Sequence, residues 1–257
     1  MKYVSPNLVK KVTGWGEVKF RQFVKQSDTI TGLVGDLRKI RQIPVRISRR
    51  NAIKRYLESN EIKKLQLGAG ITSLAGWLNT DVDIKSDGVV YLDVTQPFPI
   101  DNDTFDYVYG EHVIEHISWH DGLGMLQECR RILKPGGTIR IATPDLKVLL
   151  GLYVHDPNPI QDRYIRWITD EHMTDIPVYR ASFVINNAFR KWGHQFLYDG
   201  ESLKMVLEIA GFSDIKQASP DQSMDKNLRG IEAHGKNVGD EEMTAFETMV
   251  FEAKCPN

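Results

Sequence analysis

Apolar residues recur along this chain at two periods, and the switching between them marks out strands and helices in alternation. Leu65 and Leu67, two apart in Lys64-Leu-Gln-Leu67, form the inward face of a short strand. Leu78 to Asp81, Tyr91-Leu92, Tyr107-Val108-Tyr109, Thr138 to Ala142, Phe212 to Ala218 and Thr248 to Lys254 read as further strands. Between them the period lengthens. Leu126, Cys129 and Leu133 trace the buried stripe of a helix behind a Ser118-Trp-His-Asp121 capping box. Pro135-Gly136-Gly137 is expected to stop that helix and turn the chain into the next strand. Leu203, Val206, Leu207 and Ala210 trace another helix, capped by Asp199 and ended by Gly211. Ile53, Tyr56 and Leu57 share one side of a helix that leads into the first strand. Strands alternating with helices predict a wound α/β sheet.

This alternation divides the chain into a helical N-terminal extension over residues 1–60 and an α/β domain over residues 61–257. Two long insertions interrupt the domain, at residues 146–195 and 219–246. Segments of that length with little regular pattern are commonly functional, and ligands of wound sheets bind at the carboxyl ends of the strands. Both insertions are therefore expected to reach the mouth of a site. Only ten residues separate Gly70 from Asp81, fewer than a parallel crossover normally needs. The first crossover helix must be short or replaced by a loop.

The chemistry is concentrated just after the first strand. Gly68-Ala69-Gly70 forms a tight turn in which the backbone can approach a ligand closely. Asp81, ending the next strand, is placed to accept hydrogen bonds from two ribose hydroxyls, with Asp83 the alternate on the same strand face. Together these describe a nucleoside site. A dinucleotide fingerprint fits less well, because Ile71-Thr72-Ser73 lacks its third glycine.

Further along stand Asp93 after the third strand, Phe98-Pro-Ile-Asp-Asn-Asp-Thr-Phe-Asp106, Glu111-His112-Val-Ile-Glu115-His116, and Lys134-Pro-Gly-Gly137. With the glycine turn, this series resembles the class I S-adenosylmethionine-dependent methyltransferases. The likeness is nearest to the bacterial branch that tailors small molecules and glycans, the methyltransferase type 11 group. It is strong over residues 62–145 and looser over 194–254. The resemblance implies a Rossmann-like, mostly parallel sheet whose antiparallel last strand inserts beside its predecessor. It implies S-adenosyl-L-methionine as cofactor, held by Leu67, Gly68, Ala69, Gly70, Asp81 or Asp83, Asp93, Val94, Gly110 and Glu111. Within that set, Asp93 matches the position that accepts from the adenine amino group. Tyr109, Gly110 and Glu111 lie where the fourth strand opens towards the methyl group.

The implied reaction is O-methylation of a small-molecule or saccharide hydroxyl. Alternatives are an N- or carboxyl-methyltransferase, or a cofactor-binding sensor or partner without transfer. A hydroxyl is a poor nucleophile until its proton is removed, and histidine is the commonest base. His112, two residues beyond Gly110, is one candidate. The others are His116, in the family's Glu-His pair, and His194, at a segment the resemblance places on the substrate side. No metal is expected, since His155 and His172 do not repeat the i, i+4 spacing of a helix-borne pair. Arg229, Glu232 and His234 could form a substrate-facing loop.

Composition changes this picture little. At 41% hydrophobic and 26% charged residues, the chain falls in the globular class rather than the disordered or membrane-spanning ones. The opening residues lack an apolar signal region, and apolar runs such as Val148 to Val154 are too short for a bilayer span. Two cysteines without ligand spacing fit a reduced, cytoplasmic protein, with Cys129 serving packing. Charge does add a feature. The net charge is −1, but residues 38–55 carry eight basic residues and no acid. That segment could meet an anionic surface or a phosphorylated substrate. It has too few interleaved aromatics for nucleic acid.

Overall fold

The computed structural model describes residues 43–257, with side chains from residue 48. Most of the expected N-terminal extension therefore lies outside the described residues, as do residues 38–42 of the basic segment. The remainder of that segment runs along helix α1 (Ile43–Ser59), where Arg50, Lys54 and Arg55 are exposed.

Seven strands form one sheet: β1 (Lys64–Leu67), β2 (Leu78–Asp81), β3 (Val90–Tyr91), β4 (Phe105–Glu111), β5 (Leu133–Pro144), β6 (Ser213–Ala218) and β7 (Thr248–Lys254). Their spatial order is β3-β2-β1-β4-β5-β7-β6. β1 to β5 pair in parallel, and β7 lies antiparallel between β5 and β6. The fold is thus Rossmann-like, with the last strand inserted as expected.

The two faces of the sheet differ because side chains alternate at a period of two. Register aligns Leu78, Leu65, Val108, Ile139 and Ala253 in one row across five strands. All five are buried and join the main core. Helix α2 (Trp119–Ile132) adds Met125, Leu126 and Cys129 to it, and helix α6 (Gly200–Ile209) adds Leu203, Val206 and Leu207. Burial of each such leucine is worth roughly 1.5–3 kcal/mol. The N-terminal side of the core is closed by Ile53 and by Tyr56, which stacks on Phe105 and donates its hydroxyl proton to the Lys64 carbonyl.

The neighbouring row, which points to the opposite face, reads Asn79, Gln66, Tyr109, Arg140, Glu252 and Lys216. This second face is polar and aromatic, and the insertion after β6 covers it. Leu228 and Ile231 of that insertion pack with Trp77, Leu74, Tyr107 and Tyr109. Arg140, fully buried, donates to Glu232 at 2.6 Å, Glu252 at 2.5 Å and the Gln222 carbonyl at 3.0 Å. A buried guanidinium persists only when paired in this way.

No helix connects β1 to β2, so of the two outcomes that the short spacing allowed, a short helix or a loop, the chain takes the loop. Asn79 closes the loop instead, accepting from the Leu74 N–H at 2.9 Å and donating to the Leu74 and Trp77 carbonyls. Residues 146–195 are more regular than expected. They carry α3 (Leu146–Gly151), α4 (Pro159–His172) and α5 (Ala181–Arg190) around a second core of Leu149, Tyr164, Ile168 and Val184. The insertion after β6 carries α7 (His234–Val238) and α8 (Glu241–Glu247), and Met243 of α8 joins that second core.

The Pro-Gly-Gly run behaves differently from the sequence expectation. Helix α2 ends at Ile132, and Leu133 already pairs with Phe105. The ladder holds across the glycines because Gly136 N–H donates to the Cys255 carbonyl and Cys255 N–H to the Gly137 carbonyl, each at 2.9 Å. The helix caps match expectation: Ser118 accepts from Asp121 N–H at 3.1 Å, and Asp199 from Ser202 N–H at 2.8 Å. Cys129 is fully buried, in keeping with a packing role. Among the described residues, no helix is long and apolar enough to cross a membrane.

Candidate functional site

The carboxyl ends of β1, β2, β3 and β4 open into a cleft of about 690 Å³, within the range that encloses small ligands and cofactors. Its wall includes Gly68, Ala69, Gly70, Asp81, Asp83, Asp93, Val94, Glu111, His112 and His116. Two residues expected on the wall lie behind it. Leu67 is fully buried in the core, and Gly110 faces it across the β1–β4 ladder. Gln66 lines the cleft in their stead, on the polar face of the strand.

The turn after β1 is built for close approach. Gly68 has φ +61°, and a Cβ there would lie 2.3 Å from Val113 Cγ2. Gly70, at φ +55°, would meet nothing within 4 Å, so its side of the turn is open. Asp81 braces this turn. Its Oδ2 accepts from Gly70 N–H at 2.8 Å and its Oδ1 from Asp83 N–H at 2.7 Å. Each oxygen retains a second lone pair for a ligand hydroxyl. On Asp93 both local bonds fall on Oδ1, from Thr95 N–H at 3.0 Å and the Thr95 hydroxyl at 2.7 Å.

Glu111 does more than line the cleft. Its carboxylate accepts from Ala233 N–H (3.0 Å) and His234 N–H (2.9 Å), capping α7. Asn237 of α7 in turn donates to the Thr72 hydroxyl at 2.6 Å. His234, Asn237 and Val238 thereby line the cleft opposite the glycine turn. Sequence reasoning placed His234 in a possible substrate loop and did not reach Asn237 or Val238, since this short helix has no apolar period. The other two members of that loop serve structure. Glu232 is buried against Arg140, and Arg229 donates to the Ser223 carbonyl.

Beside the cleft lies a second cavity of about 220 Å³, lined by Trp167, Ile168, His172, Trp192, His194 and Glu247 together with residues of the cleft wall. The two spaces share His112, His116, His234 and Val238. Of the three histidines proposed from the sequence, His112 and His116 stand at this partition, while His194 lines only the second cavity, its ring centre 5.0 Å from that of His116 although it lies 78 residues further along the chain.

Glu115 sits behind that partition, fully buried. Its Oε2 accepts from the Thr143 hydroxyl at 3.0 Å. Its Oε1 lies 3.1 Å from His112 Nδ1 without the alignment of a hydrogen bond. His112 itself adopts φ +51°, a strained region for a residue with a Cβ, and stacks on His234 with ring centres 4.0 Å apart. Burial works to lower the His112 pKa, but the approach and charge of Glu115, helped by Glu247 and Glu111, hold it above the ordinary value. Burial works to raise the Glu115 pKa, and His112 outweighs it, leaving that carboxyl below its usual range. His234 is pushed down to about 4 by burial and by the neighbouring His112 charge. Burial also depresses His194, whose Nδ1 lies 2.8 Å from the Ala188 carbonyl. A proton on Nδ1 leaves Nε2 as the acceptor.

Comparison with known proteins gives one family match and several structural likenesses. Residues 66–141, from the first strand to the middle of β5, match a family profile described as a methyltransferase domain. No curated protein sequence matches the chain. Among solved structures, the CurJ carbon methyltransferase aligns at 15% identity and a TM-score of 0.42, over 77% of this chain and 50% of its own. This chain therefore spans half the length of that protein. A phosphoethanolamine N-methyltransferase 2 from Haemonchus contortus, solved with S-adenosyl-L-methionine, aligns at 18% identity and TM-score 0.44, over 82% of this chain and 52% of its own. An Archaeoglobus fulgidus SAM-dependent methyltransferase aligns at 18% identity and TM-score 0.43, over 85% and 93% respectively. The cleft's glycine cradle and unhindered Asp81 lone pairs fit a nucleoside with an attached amino acid. The profile match over residues 66–141, the Rossmann-like strand order and this cleft together support an S-adenosylmethionine-dependent methyltransferase domain in this chain.

Proposed function

We propose that this enzyme methylates a hydroxyl oxygen of a small molecule or saccharide, with residues 61–257 as the catalytic domain. The observation that carries the reading is the shared partition: the cofactor cleft and the tryptophan-lined cavity meet at His112, His116 and His234. The cofactor supplies an activated methyl group when bound, so the protein's task is alignment, exclusion of water and removal of one proton. On this reading Gly68, Ala69 and Gly70 admit the cofactor backbone, Asp81 takes the ribose hydroxyls and Asp93 the adenine amino group. The acceptor enters the second cavity, where Trp167 and Trp192 offer flat apolar faces with polar edges. His112 takes the hydroxyl proton on Nε2, exchanging its 3.3 Å contact with the Thr248 hydroxyl for the acceptor, and the Glu115 carboxylate 3.1 Å from Nδ1 stabilises the imidazolium that forms.

Three histidines on one wall serve a hydroxyl better than a carboxylate, which needs no base. The test is a panel of hydroxyl, amine and carboxylate acceptors, scored by S-adenosylhomocysteine formation. Hydroxyl acceptors should be turned over, and His112→Ala should lower their turnover by about 10²–10⁴-fold with S-adenosylhomocysteine affinity kept. Turnover of amines or carboxylates alone would overturn the oxygen assignment. Full activity in His112→Ala would remove that residue as the base.

A further inference from the structure

The partition holds a group of side chains that base chemistry alone does not use. One ligand atom each from Glu115, His116 and His194 lies within 4.8 Å of the other two. We propose that these three residues bind a divalent transition-metal cation, with open coordination positions facing the acceptor cavity.

Three observations point the same way. First, Glu115 is fully buried, and a carboxylate out of water requires either close pairing or a cation. Its Oε1 lacks a hydrogen bond, and only Thr143 satisfies Oε2, so lone pairs remain on both oxygens. Second, the Ala188 carbonyl fixes the tautomer of His194. Metal-binding histidines are commonly held in this manner, with one ring nitrogen donating to a carbonyl and the other free to ligate. Third, neither ring nitrogen of His116 has a hydrogen-bond partner among the described residues, and its ring packs edge-on against His194 with centres 5.0 Å apart. Two imidazoles and a carboxylate suit zinc and neighbouring first-row metals.

The elements that supply the ligands are tied together. Gln195 N–H donates to the Glu115 carbonyl at 2.7 Å, and the Gln195 side-chain amide to the His116 carbonyl at 2.8 Å. The segment carrying His194 is thereby clamped onto the turn carrying the other two ligands. Such bracing brings residues distant in the chain into one constellation and holds them there. A cation at this point could take the acceptor oxygen as a further ligand and ease loss of its proton to His112. That use rests on the hydroxyl reading above, whereas the site itself stands on side-chain geometry.

The test uses the full chain, stripped with a chelator and titrated calorimetrically with zinc. A parallel titration with cobalt(II) follows the visible bands that report imidazole and carboxylate ligation. S-adenosylhomocysteine is titrated into the same samples. One equivalent of metal should bind. His194→Ala and His116→Ala should each weaken binding by more than the roughly 10–100-fold that losing a partner of a ligand costs. Glu115→Gln should do the same; because Glu115 is buried, its circular dichroism and melting must be checked against the two histidine variants. Absent metal binding with S-adenosylhomocysteine still bound would overturn the metal site and leave Glu115 as a partner of His112 and not of a cation. Binding that survives the His194 and His116 substitutions would also overturn it, as adventitious binding elsewhere. Metal binding without S-adenosylhomocysteine binding would instead count against the methyltransferase reading.

Discussion

Asp81 stabilises the glycine turn through Gly70 N–H, and in the proposed reading it also binds the cofactor ribose; the two duties can be separated by measurement. Asp81→Ala should weaken S-adenosylhomocysteine binding by about 1–3 kcal/mol, the cost of leaving polar partners unpaired. Asp81→Asn, which keeps an acceptor oxygen for the turn, should lose less. Titration calorimetry on the two variants checks this, and equal affinity to wild type in both would shift the ribose role to Asp83. Asp81 was legible in the sequence because strand period and spacing from Gly70 fix a strand-end acid. Asn237 and Val238 were not, because nothing local marks residues of a short helix whose position depends on Glu111 capping its backbone from a distant strand. The Glu115, His116 and His194 grouping was equally hidden. Metal spacing rules look along one helix, whereas this set is assembled by a clamp between a turn and a distant loop.

At the scale of elements, local signals with a short physical range were read correctly. Asp199 caps α6 through the Ser202 N–H and hydroxyl, and those bonds hold its carboxyl below the ordinary range. Its contribution is therefore fully present above the unfolded value near about 4 and is lost as the pH falls through the lower folded value. Asp199→Ala should cost about 1 kcal/mol at neutral pH, with the difference from wild type shrinking in strong acid. Urea unfolding at several pH values measures it. The Pro-Gly-Gly run shows where local reading fails. A glycine pair after a helix normally signals a turn, yet here Cys255 completes the ladder across it, and a strand partner from the chain's other end is invisible locally. The helices within 146–195 were legible but passed over: α4 carries Ile160, Tyr164, Trp167 and Ile168 at i, i+4, i+7 and i+8, a helical face that packs into the second core.

The molecule as a whole is organised around the unlike faces of its sheet. The apolar face follows directly from strand alternation, which is why the fold class was legible. The opposite face holds Arg140, whose partners Glu232 and Glu252 come from the insertion and from β7. Arg140→Met should destabilise the protein by about 3–5 kcal/mol, because two carboxylates would be left near the sheet without their cation. Pairing it with Glu232→Gln should recover part of the loss, since Glu232 already resists ionisation through burial. Thermal and urea denaturation of the single and double variants would show it; additive losses would mean the two residues are not coupled.

The insertion after β6 also stands where the missing helix between β1 and β2 leaves the sheet bare, with Leu228 and Ile231 against Trp77 and Tyr109. Redesign of the enzyme is therefore less constrained in one insertion than in the other. Exchanging residues 219–246 would strip a sheet face along with the cleft wall, so changes there should register first as lost expression and solubility. Within 146–195, Trp167, His172 and Trp192 line the cavity proposed for the acceptor and can be varied to alter substrate range, provided that His194, Gln195 and the core shared with Met243 of α8 are kept.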